Sequence, residues 1–356
     1  MSEEFESKFV GDKISRVKFT DASIEATTFL SGTYDAHSNS VDFWSINSQE
    51  DEDGEAMSVI DNLSKIPHRG DVTGLDYNKG LAAASSSKGH VSLYKMDKLA
   101  ADSRLNSLHC WESLHIFKSG NASPCTDLAI EDNIATCGED GTIHILDTTK
   151  PAPIRSLVDC DSTSLTSILW VTQQCVAVVN TCGQLKVFDI RQNEARPIQT
   201  FVLSGEINAL NCLEKHPSQH HLVATGSYNG MLGIYDLRQD KVPVTVLEGH
   251  QGSSITDIKF HPRSPDSLFS SAADGSVWQW NGGRRSMRPG GDIDGPSAWF
   301  LADAAKHRIE VIELSSATPQ ASIMSNFEVN SLDVSNNTLV CGTDNGAICI
   351  FNNLIV

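Results

Sequence analysis

Three histidines, His216, His220 and His221, come nearest to metal chemistry in residue type and spacing. The loop Lys215-His216-Pro217 recurs as Phe260-His261-Pro262, and a repeated His-Pro pair reads as a structural turn. No carboxylate or thiol stands at a spacing that would complete a metal site, so no metal is expected. The nine cysteines are odd in number and include no Cys-x-x-Cys pair. Cys137, Cys175, Cys212, Cys341 and Cys349 fall in strand-like runs, as reduced core thiols do. Arg284, Arg285 and Arg288 form a compact basic cluster set among glycines, which reads as a solvated loop. Gly282-Gly283 is not followed by the lysine and helix of a phosphate loop. Arg69-Gly70-Asp71 carries no weight as an adhesion motif in a chain with no secretion signal. There is no Gly-x-Ser-x-Gly elbow, and turn chemistry accounts for most aspartates. The residues point to no catalytic set and no cofactor.

The elements that hold these residues are short hairpins. Leu222 to Arg238 reads LVATGSYNGMLGIYDLR: two apolar runs around a polar turn, Ser227-Tyr228-Asn229-Gly230. Asn-Gly is expected to supply two positive-φ positions for a tight turn. A lone hairpin is marginal in water, so it must stack on others. The same sentence recurs at Thr28–Ser45 (with a longer turn, Tyr34–Ser40), Leu81–Lys95, Ile134–Asp147, Val176–Asp189, Leu268–Asn281 and Leu339–Asn352, which makes seven copies. The turn glycines Gly89, Gly141, Gly183, Gly230, Gly275 and Gly346 are 52, 42, 47, 45 and 71 residues apart.

A period near 40 to 50 with an aromatic-acid ending resembles the WD40 repeat, one four-stranded propeller blade each. The expected fold is all-β: a seven-bladed WD40 β-propeller, residues 1–356 forming one domain. Closure is assigned to Glu6–Val10, an N-terminal strand that completes the last blade. Insertions are read at 47–56, 97–107 and 282–306. In such blades the resemblance implies a structural tetrad of a Gly-His histidine, a strand hydroxyl, the turn aspartate and the aromatic tryptophan. Blade six matches with His250, Ser270, Asp274 and Trp280. Blade five has Leu203-Ser204-Gly205 in place of the histidine, and the other blades read as degenerate.

Composition narrows the partners. Hydrophobic residues make up 40% and charged residues 20%, ordinary for a globular chain. The net charge of -18 repels phosphate backbones, so direct nucleic-acid binding is not expected. The acidic start, Met1 to Glu6, does not resemble a signal peptide, and no run suits insertion in a bilayer. Asn62, Asn121 and Asn336 begin glycosylation triplets, read as chance matches without secretion.

The runs KFVGDKISRVKF, HRGDVTGLDYN, CGEDGTIHI, NTCGQLKVFDIRQ, HPSQHHLVATGSYNGMLGIYDLRQ and LVCGTDNGAI are together similar to the propeller nucleoporins of the Y-shaped outer-ring complex of the nuclear pore. The similarity runs from near residue 8 to near residue 350 and weakens in the insertions. It implies a non-enzymatic scaffold, monomeric within a large complex at the nuclear envelope. Its partners would be other outer-ring nucleoporins, its roles pore assembly and nucleocytoplasmic transport, with a kinetochore role in mitosis in animals. The family offers no catalytic residues. The alternative is a substrate receptor of a cullin-RING ubiquitin ligase, since Tyr235, Asp236 and Arg238 form an aromatic-Asp-x-Arg ending, as do Phe188, Asp189 and Arg191. The insertions fall between third and fourth strands, on one face, where Trp299, Phe300 and Leu301 form a candidate partner surface.

Overall fold

In six of the seven hairpins the polar turn is closed by a glycine in the left-handed region, and the longer turn of blade one has Asp35 there instead, at φ 51°. In blade five the Gly230 amide donates to the Ser227 carbonyl at 3.3 Å. The φ of Gly89, Gly141, Gly183, Gly230, Gly275 and Gly346 is 75°, 67°, 81°, 84°, 84° and 77°. Asn229 is not in the positive-φ region, so the expected pair of positive-φ residues reduces to glycine alone. These glycines serve a second purpose. A Cβ on Gly141 would lie 2.1 Å from the Asp161 carbonyl oxygen, where the loop entering the next blade crosses the turn.

The computed structural model describes residues 4–20, 27–50, 56–97, 104–192, 194–203, 207–239, 241–282, 310–316 and 327–354. The strands form seven antiparallel four-stranded sheets. Strands are called a to d within a blade, in sheet order. The a strands are Lys13–Phe19, Val72–Asn78, Cys125–Ile130, Leu165–Thr172, Leu210–Lys215, Ile255–Phe260 and Val329–Ser335. They pack against one another in sequence, and the first also packs against the last, which closes the ring. Glu4–Phe9 is the d strand of blade seven, paired from Glu4↔Asn352 to Phe9↔Ala347. The expected Glu6–Val10 segment therefore does close the last blade, beginning two residues earlier. Seven apolar clusters fill the seven spaces between neighbouring blades. The one that seals the ring joins Ile14, Val17, Phe29 and Trp44 to Val340, Ile348 and Ile350.

Two of the expected insertions are partly strand. In blade one, strands c (Ser40–Glu50) and d (Ala56–Pro67) stay paired from Asn47↔Val59 to Glu50↔Ala56, so 47–50 extend the hairpin. In blade two, Asp97 pairs with Arg104, and 104–107 belong to strand d. Residues 51–55, 98–103 and 283–309 lie outside the described residues, and with them Arg284, Arg285, Arg288, Trp299, Phe300 and Leu301. Strand d of blade six is Glu310–Glu313.

Candidate functional site

Blade six brings together the four residues read from the sequence and adds a fifth. His250 Nε2 is 2.7 Å from the Ser270 hydroxyl, which also accepts the Trp280 indole N–H at 2.8 Å. His250 Nδ1 meets Ser276 Oγ at 2.6 Å, and the Ser276 hydroxyl donates to Asp274 at 2.6 Å. Asp274 therefore reaches the histidine through Ser276, a link the sequence reading lacked. Burial holds His250 neutral, its pKa lowered to about 4.

Blades one, two and three keep parts of this arrangement. In blade three His115 spans Asp140 and Thr136, 3.0 Å from each, and is fully buried. Burial works against the charge of Asp140, yet hydrogen bonds from His115, Thr142 and Ile116 hold its carboxyl below the usual range. Sequence reading missed this set because Leu114, not glycine, precedes His115; the Asp140-Gly141 turn was the available signal. His144 lies beside it and bonds Ser156 at 2.8 Å. His115, Asp140 and His144 are within 4.8 Å of one another, a spacing that suits a metal. Both ring nitrogens of His115 are already engaged by Asp140 and Thr136, so the group reads as a structural network.

Blade two sets His68, after Pro67, 3.2 Å from the hydroxyl of Tyr94, which stands where blade six has tryptophan. Blade one keeps the indole-to-serine bond, Trp44 to Ser31 at 2.8 Å. Blade four substitutes an ion pair: Asp161 accepts from Lys186 and Asn180 at 2.8 and 2.7 Å. In blade five Leu203 packs with Tyr235 where the histidine would sit.

The remaining sequence candidates have local partners. His216 Nδ1 accepts the Gln219 amide at 3.0 Å and His261 Nδ1 the Ser264 amide at 2.9 Å, so both His-Pro loops are structural turns. Asp236 is buried and receives the Arg238 guanidinium on both oxygens, at 2.9 and 2.8 Å. Asp189 and Arg191 form the same fork. In the Arg69-Gly70-Asp71 turn the Arg69 carbonyl accepts from Ser86 and His90, and Asp71 from Asn39. Burial pushes the Cys160 and Cys349 thiols up to about 12, too high for nucleophilic thiolates.

A ring of polar links between blades has no counterpart in the sequence reading. Every a strand carries a β-bulge near its start. A bulge turns one extra residue out of the ladder and towards the neighbouring sheet. The extra residues Thr73, Thr126, Thr166, Asn211, Thr256 and Asn330 each donate to a carbonyl in the next blade: Cys125, Leu165, Leu210, Ile255, Val329 and Ile14. In blade one the extra residue, Ser15, bonds the Gly32 carbonyl of its own blade at 3.1 Å; its neighbour Arg16 makes the link instead, its Nε donating to the Thr73 carbonyl at 2.8 Å, and the circuit closes. Farther along the same strands, Asp76, Asp127, Asp257 and Asp333 accept the amides of Ile130, Ile168, Leu332 and Phe19, again one blade on. Ion pairs line the channel inside: Lys18–Asp76 at 3.1 Å, Lys215–Glu131 at 2.8 Å and Lys259–Glu214 at 2.9 Å.

Seven hairpin blades, a closing N-terminal strand and a histidine–serine–tryptophan set define a WD40-type β-propeller. Residues 116–290 match the family described as Nucleolar protein 10-like, N-terminal domain, which also covers a propeller. Over the full length the chain is 33% identical to Nucleoporin Nup43 of Mus musculus and of Homo sapiens, covering 99% of this chain and 99% of each of those. It is 24% identical to Nuclear pore complex protein nup43 of Dictyostelium discoideum, over 63% of this chain and 52% of that one. The chain belongs to the Nup43 family of nucleoporins.

Proposed function

We propose that this chain is a non-enzymatic scaffold of the outer-ring, Y-shaped complex, holding other outer-ring nucleoporins by protein contacts and supporting pore assembly and nucleocytoplasmic transport. As a member of the Nup43 family it is a WD40 subunit of the nuclear pore complex at the nuclear envelope. The observation that carries the proposal is 33% identity sustained across 99% of the chain. The structure is consistent with it: the polar sets join strands and blades, and the buried thiols and histidines are tied into the fold.

We read residues 1–356 as one folding unit. We assign the partner surface to the face with the c–d connections of blades one, two and six, around Trp299, Phe300 and Leu301. We also assign a kinetochore role in mitosis. The experiment is to shorten residues 51–55, 98–103 and 283–309 together and follow a fluorescent fusion. Loss of the fusion from the nuclear rim, with the folded protein still abundant, supports the surface assignment. Normal rim labelling rejects it. Absence of the intact fusion from mitotic kinetochores rejects the kinetochore role.

A further inference from the structure

Blade seven, which the first strand closes, carries two cysteines face to face. Strands b (Thr338–Thr343) and c (Ala347–Asn352) pair with Cys341 directly opposite Cys349. Both side chains point to the same side of the sheet. Leu339, Cys341, Cys349 and Phe351 join the apolar cluster between blades six and seven, while Val340, Ile348 and Ile350 join the cluster on the other side. Directly opposed residues have Cα atoms about 4.5–5.5 Å apart. A disulfide spans roughly 4.4–6.8 Å. Among the described residues no other two cysteines are opposed in a sheet. Cys125 and Cys137, in adjacent strands of blade three, face opposite sides of it. Both blade-seven cysteines are free thiols here. Burial pushes both thiols up, and the neighbouring Cys349 adds to the effect on Cys341. Strand c is also the strand that the closing segment pairs with, Cys349 standing opposite Ser7.

We propose that Cys341 and Cys349 are a reversible redox latch, which peroxide closes into a cross-strand disulfide that pins the ring-closing blade. In the closed ring neither thiol is a nucleophile, so reaction waits until the space between blades six and seven opens. Cys349, 3% exposed against 0% for Cys341, is reached first. Its thiolate attacks one oxygen of hydrogen peroxide and the O–O bond breaks. The hydroxide that leaves takes the thiol proton as water, and Cys349 becomes a sulfenic acid. The Cys341 sulfur then displaces that hydroxyl: the S–S bond forms, the S–O bond breaks and a second water leaves. Two electrons pass from the two sulfurs to one peroxide. Exchange with a small thiol reverses the bond. In a reducing compartment a disulfide of this kind is transient and senses oxidant. This latch is independent of pore membership.

The test uses the full chain, treated with hydrogen peroxide, alkylated and digested, with and without urea below the unfolding transition. The expected product is a peptide joining Cys341 to Cys349, formed faster in urea and lost with dithiothreitol. In the oxidised chain, hydrogen exchange of the Ala347–Asn352 amides should slow about tenfold, because the linked hairpin opens less often. Cys349→Ala, treated alike, should show no slowing. Cys110→Ser, at an exposed site, should keep both the link and the slowing. Two results overturn the proposal. One is Cys341 and Cys349 recovered fully alkylated from the denatured chain while Cys110 is oxidised. The other is the linked peptide with exchange unchanged.

Discussion

The polar links between blades predict a stability cost that apolar stacking alone would not produce. The Thr126 hydroxyl sits 2.8 Å from the Leu165 carbonyl of the next blade and 3.2 Å from the Cys137 carbonyl of its own. Thr126→Val keeps the β-branched shape and the strand preference, and removes only the donor. Leu165 is fully buried, so its carbonyl loses a partner that water cannot replace. An acceptor left unsatisfied in this way costs about 1–2 kcal/mol. With a denaturant slope of about 3 kcal/mol per molar urea, the unfolding midpoint should fall by roughly 0.3–0.7 M. Thr256→Val removes the equivalent link between blades six and seven, which shares no partner with the first. The two changes should add, to about 2–4 kcal/mol. Thr149→Val is the control: Thr149 is exposed, bonds only the nearby Asp147, and should cost less than about 0.5 kcal/mol. Urea unfolding followed by tryptophan fluorescence gives all the midpoints. If Thr126→Val, Thr256→Val and the double variant unfold with the control, the links contribute nothing and the ring stands on apolar stacking alone.

Three further outcomes are expected. Asp274→Ala removes the acceptor that orients Ser276 towards His250, and should cost about 1–3 kcal/mol in urea unfolding; a midpoint equal to that of the parent would mean blade six does not depend on this network. Deleting residues 1–12 exposes the edge of Ala347–Asn352 and unstacks Phe5 from Phe351, so the melting temperature should drop and aggregation rise; identical melting would contradict closure by the first strand. His68, His216 and His250 have pKa values lowered to about 4, and His144 to about 3, in each case chiefly by burial. An unfolded imidazole titrates near pH ~6.5, so the unfolded chain binds more protons between that value and about 4. The contribution of these groups is complete above pH ~6.5 and falls as the pH is lowered towards 4; a midpoint that stays flat over this window would show that the histidines are not buried neutral.

The hairpins were legible because each carries its own local signal. Gly230 and its counterparts mark a turn that needs a positive φ, and the flanking apolar runs mark strands. The ring closure was legible because the last hairpin leaves its sheet one strand short. His250, Ser270, Asp274 and Trp280 could be aligned because Gly249 flags the histidine. The rest depends on distant pairing. His115 has no glycine before it, and Asp161 with Lys186 looks like two unrelated surface charges until the fold brings them to 2.8 Å. The link from blade seven to blade one spans almost the whole chain, Asn330 to the Ile14 carbonyl at 2.8 Å. The polar residues at the bulges do repeat, in Val72-Thr73-Gly74, Cys125-Thr126-Asp127 and Ile255-Thr256-Asp257, but a threonine in a strand is unremarkable by itself. Residues 47–50 read as an insertion because they are polar, while the pairing of Glu50 with Ala56 is decided by the partner strand.

The central claim is that this propeller works as an outer-ring scaffold, and cross-linking mass spectrometry on the natively purified, tagged chain tests it most directly. Near-stoichiometric recovery of outer-ring nucleoporins is expected, with cross-links from lysines bordering the c–d connections of blades one, two and six. Recovery of a cullin adaptor in place of outer-ring nucleoporins would contradict it.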